Sequence, residues 1–444
     1  MTGIPGDVAA LALCNRGAAR GRKGDHKGAI ADCTTFLALP DAPADLKAKA
    51  LVNRSVARGI LGDRDGEIDD CTAAIDMAQA PAEERAKALV NRAVARGMMD
   101  DPDGAIADCT AVIKMADAPA ERRAAALLNR AVGRGKKDDP EGQISDWTAV
   151  IDMPDAPGEP RAEAFLNRGA CKGAQGDMLG ALADYTAVID MPGSSPEHKA
   201  QALNKRAVLN GTEGHTDKAI ADCTVVIEMA DAPEEEKARG LYNRGVTKTI
   251  KGDKRGAIAD FTAVIDMPTA PPAQKSNALN RRAELRHARG DTDGAVADWA
   301  AVVGMPDAAA DQRAIALNGR AATKGIRGDT QGAIADCTLV INMRDVSPDQ
   351  AAQALYNRGV SRGNIGDNDG SLRDYTAFLA MPSAPIERKA QVLVNLGRIR
   401  QAQGDKAEAR RLYEQALALD HLPDGGERVR QWLEELDGDD PRPT

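Results

Sequence analysis

The chain has 444 residues, a formal net charge of −9, 43% hydrophobic residues and only 3% aromatic residues. This acidic balance argues against a nucleic-acid coat, because phosphate binding needs a basic surface. The start, MTGIPGDVAALALCNRG, lacks the basic and apolar regions of a signal peptide, and no apolar run approaches membrane-spanning length, so a cytoplasmic protein is expected.

One arginine recurs every 38 residues, at Arg16, Arg54, Arg92, Arg130, Arg168, Arg206, Arg244, Arg282, Arg320 and Arg358, and the next step lands on Leu396. Self-similarity at a fixed period of this length marks a stacked array in which each copy touches only its neighbours. The fold class is therefore all-α, an α-solenoid of about eleven helix-turn-helix repeats forming a superhelix.

The array begins in register, since Pro5 aligns with Pro43, and is expected to fill residues 5–420. The third copy shows the unit. A first helix is predicted over Ala82–Met98, where Ala86, Leu89 and Ala93 share a face, and a second over Pro102–Lys114, with Ala105, Ile106, Cys109, Val112 and Ile113 at helical spacing. Gly24-Asp25 and its repeats end the first helix with a left-handed glycine and cap the second with aspartate. In copies three and four the cap is Asp101 or Asp139, followed by a proline suited to the first helical position. Prolines such as Pro154 and Pro157 stop the second helix. Ser195-Pro196 and Ser347-Pro348 start the next with a cap and an N1 proline. After residue 420 a capping helix is expected within 421–436, then a disordered tail over 437–444.

The seven cysteines include Cys33, Cys71, Cys109, Cys223 and Cys337 at one repeat position, where other copies carry Trp147, Tyr185, Phe261, Trp299 or Tyr375. A position that alternates cysteine with aromatics is a buried apolar slot. Disulfides are not expected there, and a reducing compartment fits.

The last copy, Val392 to Asp420, resembles the tetratricopeptide repeat (TPR). Leu393, Leu396-Gly397, Ala409, Tyr413 and Ala416 fall where that pattern places large apolar, Leu-Gly, alanine, aromatic and alanine residues. Other copies keep the small residue, the alanine and the aromatic-or-cysteine slot. They depart in their period and in an arginine where the pattern has leucine. The resemblance implies a helical-repeat scaffold whose first helices line a concave groove.

Sixteen residues after each arginine stands an aspartate, from Asp32 to Asp374. In the eleventh copy both are leucine, Leu396 and Leu412. The pair is either an arginine ladder that grips acidic ligands or an ion pair within each repeat. The joint loss favours the ion pair.

Before the arginine stands an asparagine: Asn15, Asn53, Asn91, Asn129, Asn167, Asn243, Asn357 and Asn395. Copies six, eight and nine carry one a residue earlier, at Asn204, Asn280 and Asn318. An amide offers both donor and acceptor. In proteins of the resembled family such a residue can pair with the backbone of an extended peptide, or it is simply a common repeat residue that bonds to a neighbouring helix. A second basic stripe follows the arginine by four residues and includes Arg96, Arg134 and Lys172. It would attract an acidic partner, form a solvated face, or be neutralised by neighbouring acids. Val52, Val56, Val90 and Val94 and the glycines Gly59 and Gly97 are expected near the same surface.

No residues assemble a metal site, a phosphate loop or a nucleophile with its base, so neither cofactor nor enzyme activity is expected. The leading expectation is a scaffold that binds a peptide or protein in its groove, through the asparagines and the basic residues Arg96, Arg134 and Lys172. The alternatives are an assembly subunit acting through its ends or convex surface and, disfavoured by charge, RNA binding.

Overall fold

The computed structural model describes residues 6–438, with side-chain burial from residue 11 to residue 436. Pro5 and the tail residues 439–444 lie outside the described residues. Within them the chain forms 23 α-helices and one 3-10 turn, with no strand. It divides into two compact halves, Met1–Pro233 and Glu234–Thr444. The first holds six helix pairs, from Gly6–Arg22 with His26–Leu37 to Pro196–Thr212 with Thr216–Glu228. The second holds five, from Glu234–Ile250 with Lys254–Asp266 to Ile386–Ala402 with Lys406–Ala418. The third repeat occupies Ala82–Met98 and Pro102–Lys114, the spans that its apolar spacing predicts.

The turn inside each repeat follows from two residues. Gly24 takes φ +85°, and Asp25 N–H donates back to the Arg20 carbonyl at 2.9 Å, closing the first helix. The Asp25 side chain then accepts from Gly28 N–H at 2.9 Å and opens the second. A Cβ at residue 28 would lie 2.1 Å from Asp25 Oδ2, so the aspartate must shift wherever a larger residue follows it, as Glu408 does after the capping Asp405. In copies three and four the left-handed position falls on Asp100 (φ 61°) and Asp138 (φ 56°), so an aspartate does the work of glycine. Ser195 caps its helix by accepting from His198 N–H at 3.2 Å. Ser347 does not. It makes no side-chain cap bond, and its own N–H donates to Asp311 Oδ1 at 2.7 Å.

Both helices of a repeat bury one face. In the third copy these are Ala86, Leu89, Val90 and Ala93 against Ala105, Cys109 and Val112. The cysteine-or-aromatic slot is buried in every copy, from Cys33 (0% exposed) to Trp147 (5%). Burial holds the Cys109 and Cys337 thiols up at about 12.

Slot size is matched across the repeat in eight copies, while Cys33 faces Gly17 and Trp147 and Trp299 stand with Ala131 and Ala283. Tyr185, Phe261, Tyr375 and Tyr413 lie over Gly169, Gly245, Gly359 and Gly397, where a Cβ would meet the ring at 2.5–2.8 Å. Cys71, Cys109, Cys223 and Cys337 stand with Ser55, Ala93, Ala207 and Ala321 at the equivalent position. Gly359→Ala is therefore expected to destabilise by about 1–3 kcal/mol through overpacking. Adding Tyr375→Cys, which copies the Ala321 and Cys337 pair, should recover part of the loss in denaturant unfolding. If Gly359→Ala is neutral, the size matching is incidental.

In the second half, the helix Glu427–Gly438 follows a 3-10 turn at Pro423–Gly426. It buries Val429 and Leu436 and sets Trp432 against Tyr413, ring centroids 5.7 Å apart. It thus covers the last repeat, and it reaches two residues into the segment expected to be tail.

Candidate functional site

Each of the ten arginines reaches from a first helix to the second helix of its own repeat. Nε donates to one aspartate oxygen at 2.8–3.0 Å and Nη2 to the other at 2.6–2.8 Å. This bidentate fork is the strong form of the arginine–carboxylate pair. The aspartates are buried, between 1% exposed at Asp146 and 7% at Asp222. Hydrogen bonding from Arg16 is the main reason that the Asp32 carboxyl is held below its ordinary range. In the eleventh repeat Leu396 and Leu412 fill the same place as buried apolar residues.

The third arm of the arginine reaches the preceding repeat. Arg54 Nη1 donates to Thr34 Oγ1 at 3.0 Å, and Arg92, Arg130, Arg168 and Arg206 bond Thr72, Thr110, Thr148 and Thr186 in the same way. In the second half Arg282 and Arg358 meet Thr262 and Thr338. Ala300 stands in that place before Arg320. The ladder thus ties helices within a repeat and repeats to each other. The sequence carries this threonine two residues after nine of the ten aspartates, a regularity that by itself does not show its bond to the next repeat.

The second basic stripe turns toward the same carboxylates. Arg96, Arg134 and Lys172 lie 2.9, 2.9 and 3.0 Å from Asp108, Asp146 and Asp184. Six further repeats do the same through Arg20, Arg58, Lys248, Arg286, Lys324 and Arg362. Arg96 and Arg134 also approach the capping aspartates Asp101 and Asp139, at 3.8 and 3.7 Å. Two cations and two acids therefore balance inside these repeats.

The asparagines lie differently. Asn15, Asn91, Asn129, Asn167 and Asn243 make no side-chain hydrogen bond among the described residues and are at least partly exposed. Asn53 Nδ2 is buried without a hydrogen-bond partner. Asn357 accepts from Gln353 Nε2 at 2.8 Å, and Asn395 donates to Tyr375 Oη at 3.1 Å.

The asparagines one residue earlier do not belong to this row. Asn204, Asn280 and Asn318 are 1%, 3% and 5% exposed. Asn280 and Asn318 donate to Gln312 and Gln350 of the following repeat at 2.8–3.0 Å. One residue is a turn of about 100° around a helix, enough to carry a side chain from the surface into the stack.

Three and seven residues after the amide, on the same helix face, come exposed apolar side chains: Val56 (44%), Ile60 (60%), Val94 (36%), Met98 (63%) and Val132 (58%). Val52 and Val90, expected nearby, are buried at 5% and 8%. Gly59 makes room for the buried Glu67 carboxylate, while Gly97 faces open space. Asn53 lines a cleft of about 210 Å³ with Gly17, Gly21, His26, Val56 and Ile60. Asn167 lines one of about 410 Å³ with Gln143, Trp147 and Ala170. In the second half Asn395 lines a third, of about 320 Å³, with Asn364, Asn368 and Arg398.

The geometry defines an α-solenoid of stacked helix pairs. The tetratricopeptide-repeat sequence profile matches residues 390–421, the eleventh repeat. Ten more copies along the chain repeat the helix pair, turn and slot of that matched unit. Among solved structures it is similar to yeast Tom70, at 15% identity and a TM-score of 0.42, covering 98% of this chain and 96% of that one. It is also similar to the APC/C hetero-tetramer Cut9–Hcn1, at 10% identity and 0.40, covering 98% and 96%. A tetratricopeptide repeat protein from Parabacteroides merdae follows at 17% and 0.32, covering 71% and 98%. Comparison with curated proteins finds no match.

Proposed function

We propose that this protein is a non-enzymatic scaffold that binds an extended peptide or protein segment along its first helices. The observation that supports this most is the contrast between the two polar rows. The ladder arginines, and with them Arg96, Arg134 and Lys172, are engaged by buried aspartates. Asn91, Asn129 and Asn167 stand free beside exposed apolar residues. Three consecutive repeats with a free amide suit backbone pairing, with Val94 and Val132 receiving apolar side chains. The buried free thiols fit a reducing compartment such as the cytoplasm. An acidic chain whose ladder cations are already paired is a poor RNA binder.

The test begins with peptides selected from a random display library on the intact chain. Each amide contributes roughly 0.5–1.5 kcal/mol. Replacing Asn91, Asn129 and Asn167 together by alanine should therefore weaken a selected peptide by a factor on the order of ten to a thousand or more. The melting temperature should change little, because these amides hold nothing in the fold. Unchanged affinity would move the binding surface to the ends or to the second helices, the reading of an assembly subunit.

A further inference from the structure

The sixth repeat breaks the ladder's charge pattern in one place. Nine other repeats put a second cation 2.8–3.0 Å from the aspartate Oδ2. There the sixth has Asn210, and among the described residues Asp222 is bridged by Arg206 alone. Two neighbours change with it. The capping aspartate becomes His215, which makes no side-chain cap bond, and the glycine that follows by three becomes Lys218.

These three positions form one set elsewhere. In the fourth repeat Arg134 reaches Asp146 Oδ2 at 2.9 Å, the capping Asp139 at 3.7 Å and the Gly142 carbonyl at 2.8 Å. Replacing that arginine by the short Asn210 removes a guanidinium and most of its stem. What stands there is a cleft of about 380 Å³ lined by Leu182, Thr186, Arg206, Asn210, Lys218 and Asp222. Asn210 is 6% exposed, yet its amide makes no hydrogen bond among the described residues. An unpartnered amide in the wall of a cleft offers both a donor and an acceptor to a ligand's polar group. The Asp222 side chain is 10% exposed, against 2–5% for the other ladder aspartates.

We propose that this cleft, between the second helices of repeats five and six, receives an arginine side chain from a partner protein. Its guanidinium takes the place that the second cation holds elsewhere. The acceptors are the Asp222 carboxylate and the Asn210 amide oxygen, and the planar fork matches a carboxylate that already lies in such a plane. Lys218 does not fill the slot. It stands four residues before Asp222 on the same helix, the weaker order for an ion pair, and it is exposed with no ion pair among the described residues. This surface is distinct from the amide row, so the two readings can fail separately.

The probe is N-acetyl-arginine amide, titrated into the full chain labelled with ¹⁵N at asparagine and followed through the Asn210 side-chain signals. Saturable shifts are expected with the arginine probe and not with its neutral citrulline analogue. Asn210→Arg, which restores the residue of the other repeats, should remove the binding while keeping the melting temperature at least as high. Should that variant fail to fold, Lys218→Gly serves instead, and it should bind at least as tightly as the parent chain. The Asn91, Asn129 and Asn167 triple variant should bind the probe unchanged. No saturable shift, equal shifts from citrulline, undiminished binding by a folded Asn210→Arg, or loss of binding in Lys218→Gly would each overturn the proposal. Preference for the lysine analogue would overturn the choice of arginine.

Discussion

Deleting residues 82–119, one full period, should leave a soluble protein with the same helix content per residue and a cooperative unfolding transition. The reason lies in the contacts that cross the joint. Arg130 would then follow the second repeat, and it would meet Thr72 where it now meets Thr110. The apolar faces would also match, because each repeat presents the same small residues to the next. Deleting residues 82–100, half a period, removes Arg92 and joins two second helices, leaving Asp108 without its arginine. That chain should lose cooperative unfolding and aggregate. A stack of near-identical units predicts this asymmetry, since its stability is a sum of unit and neighbour terms. Two equally folded deletions would show that the period is not the structural unit.

The second large effect concerns the ladder. Asp146 is 1% exposed and holds both Arg130 and Arg134. Asp146→Leu leaves two cations facing an apolar side chain, and it should cost about 3–5 kcal/mol. Arg130→Leu should cost less, because Arg134 still balances the carboxylate. The double variant should recover much of the loss. The eleventh repeat supplies the precedent, with Leu396 and Leu412 packed together and Arg400 turned aside to Gln403 at 3.1 Å. Denaturant unfolding of the four proteins gives the coupling energy directly. Additive losses would mean that Arg130 and Asp146 act independently.

Much of this was readable from one chain because the repeats serve as each other's controls. The helix spans of the third copy follow from apolar spacing, and the arginine–aspartate pairing follows from its joint loss in the last copy. What escaped was what neighbouring helices cover. Spacing along one helix puts Val52 and Val56 close together, but only the first is buried, in a cluster with Leu51, Cys71, Ala74 and Ala88. Counting amides treats Asn280 like Asn91, although one residue of offset turns it into the stack. Neutralisation of the basic stripe by neighbouring acids is one of the readings its spacing allows, but that the acid is an aspartate already holding an arginine depends on side-chain reach. Asp100 and Asp138 carry a glycine's backbone angle, which the missing Gly-Asp pair in those copies signalled only indirectly.

The central claim is that the charges of this repeat are taken up inside the fold, so that binding rests on uncharged amides and the apolar residues beside them. Salt dependence tests it most directly. The affinity of a peptide selected on the intact chain is measured at about 0.05 M and about 0.5 M salt, a range over which exposed charges become largely screened. The account predicts a change of less than about threefold, as for backbone recognition with apolar contacts. A loss of about a hundredfold or more would mean that several cations grip the ligand, as ionic contacts released by salt do, and would contradict it.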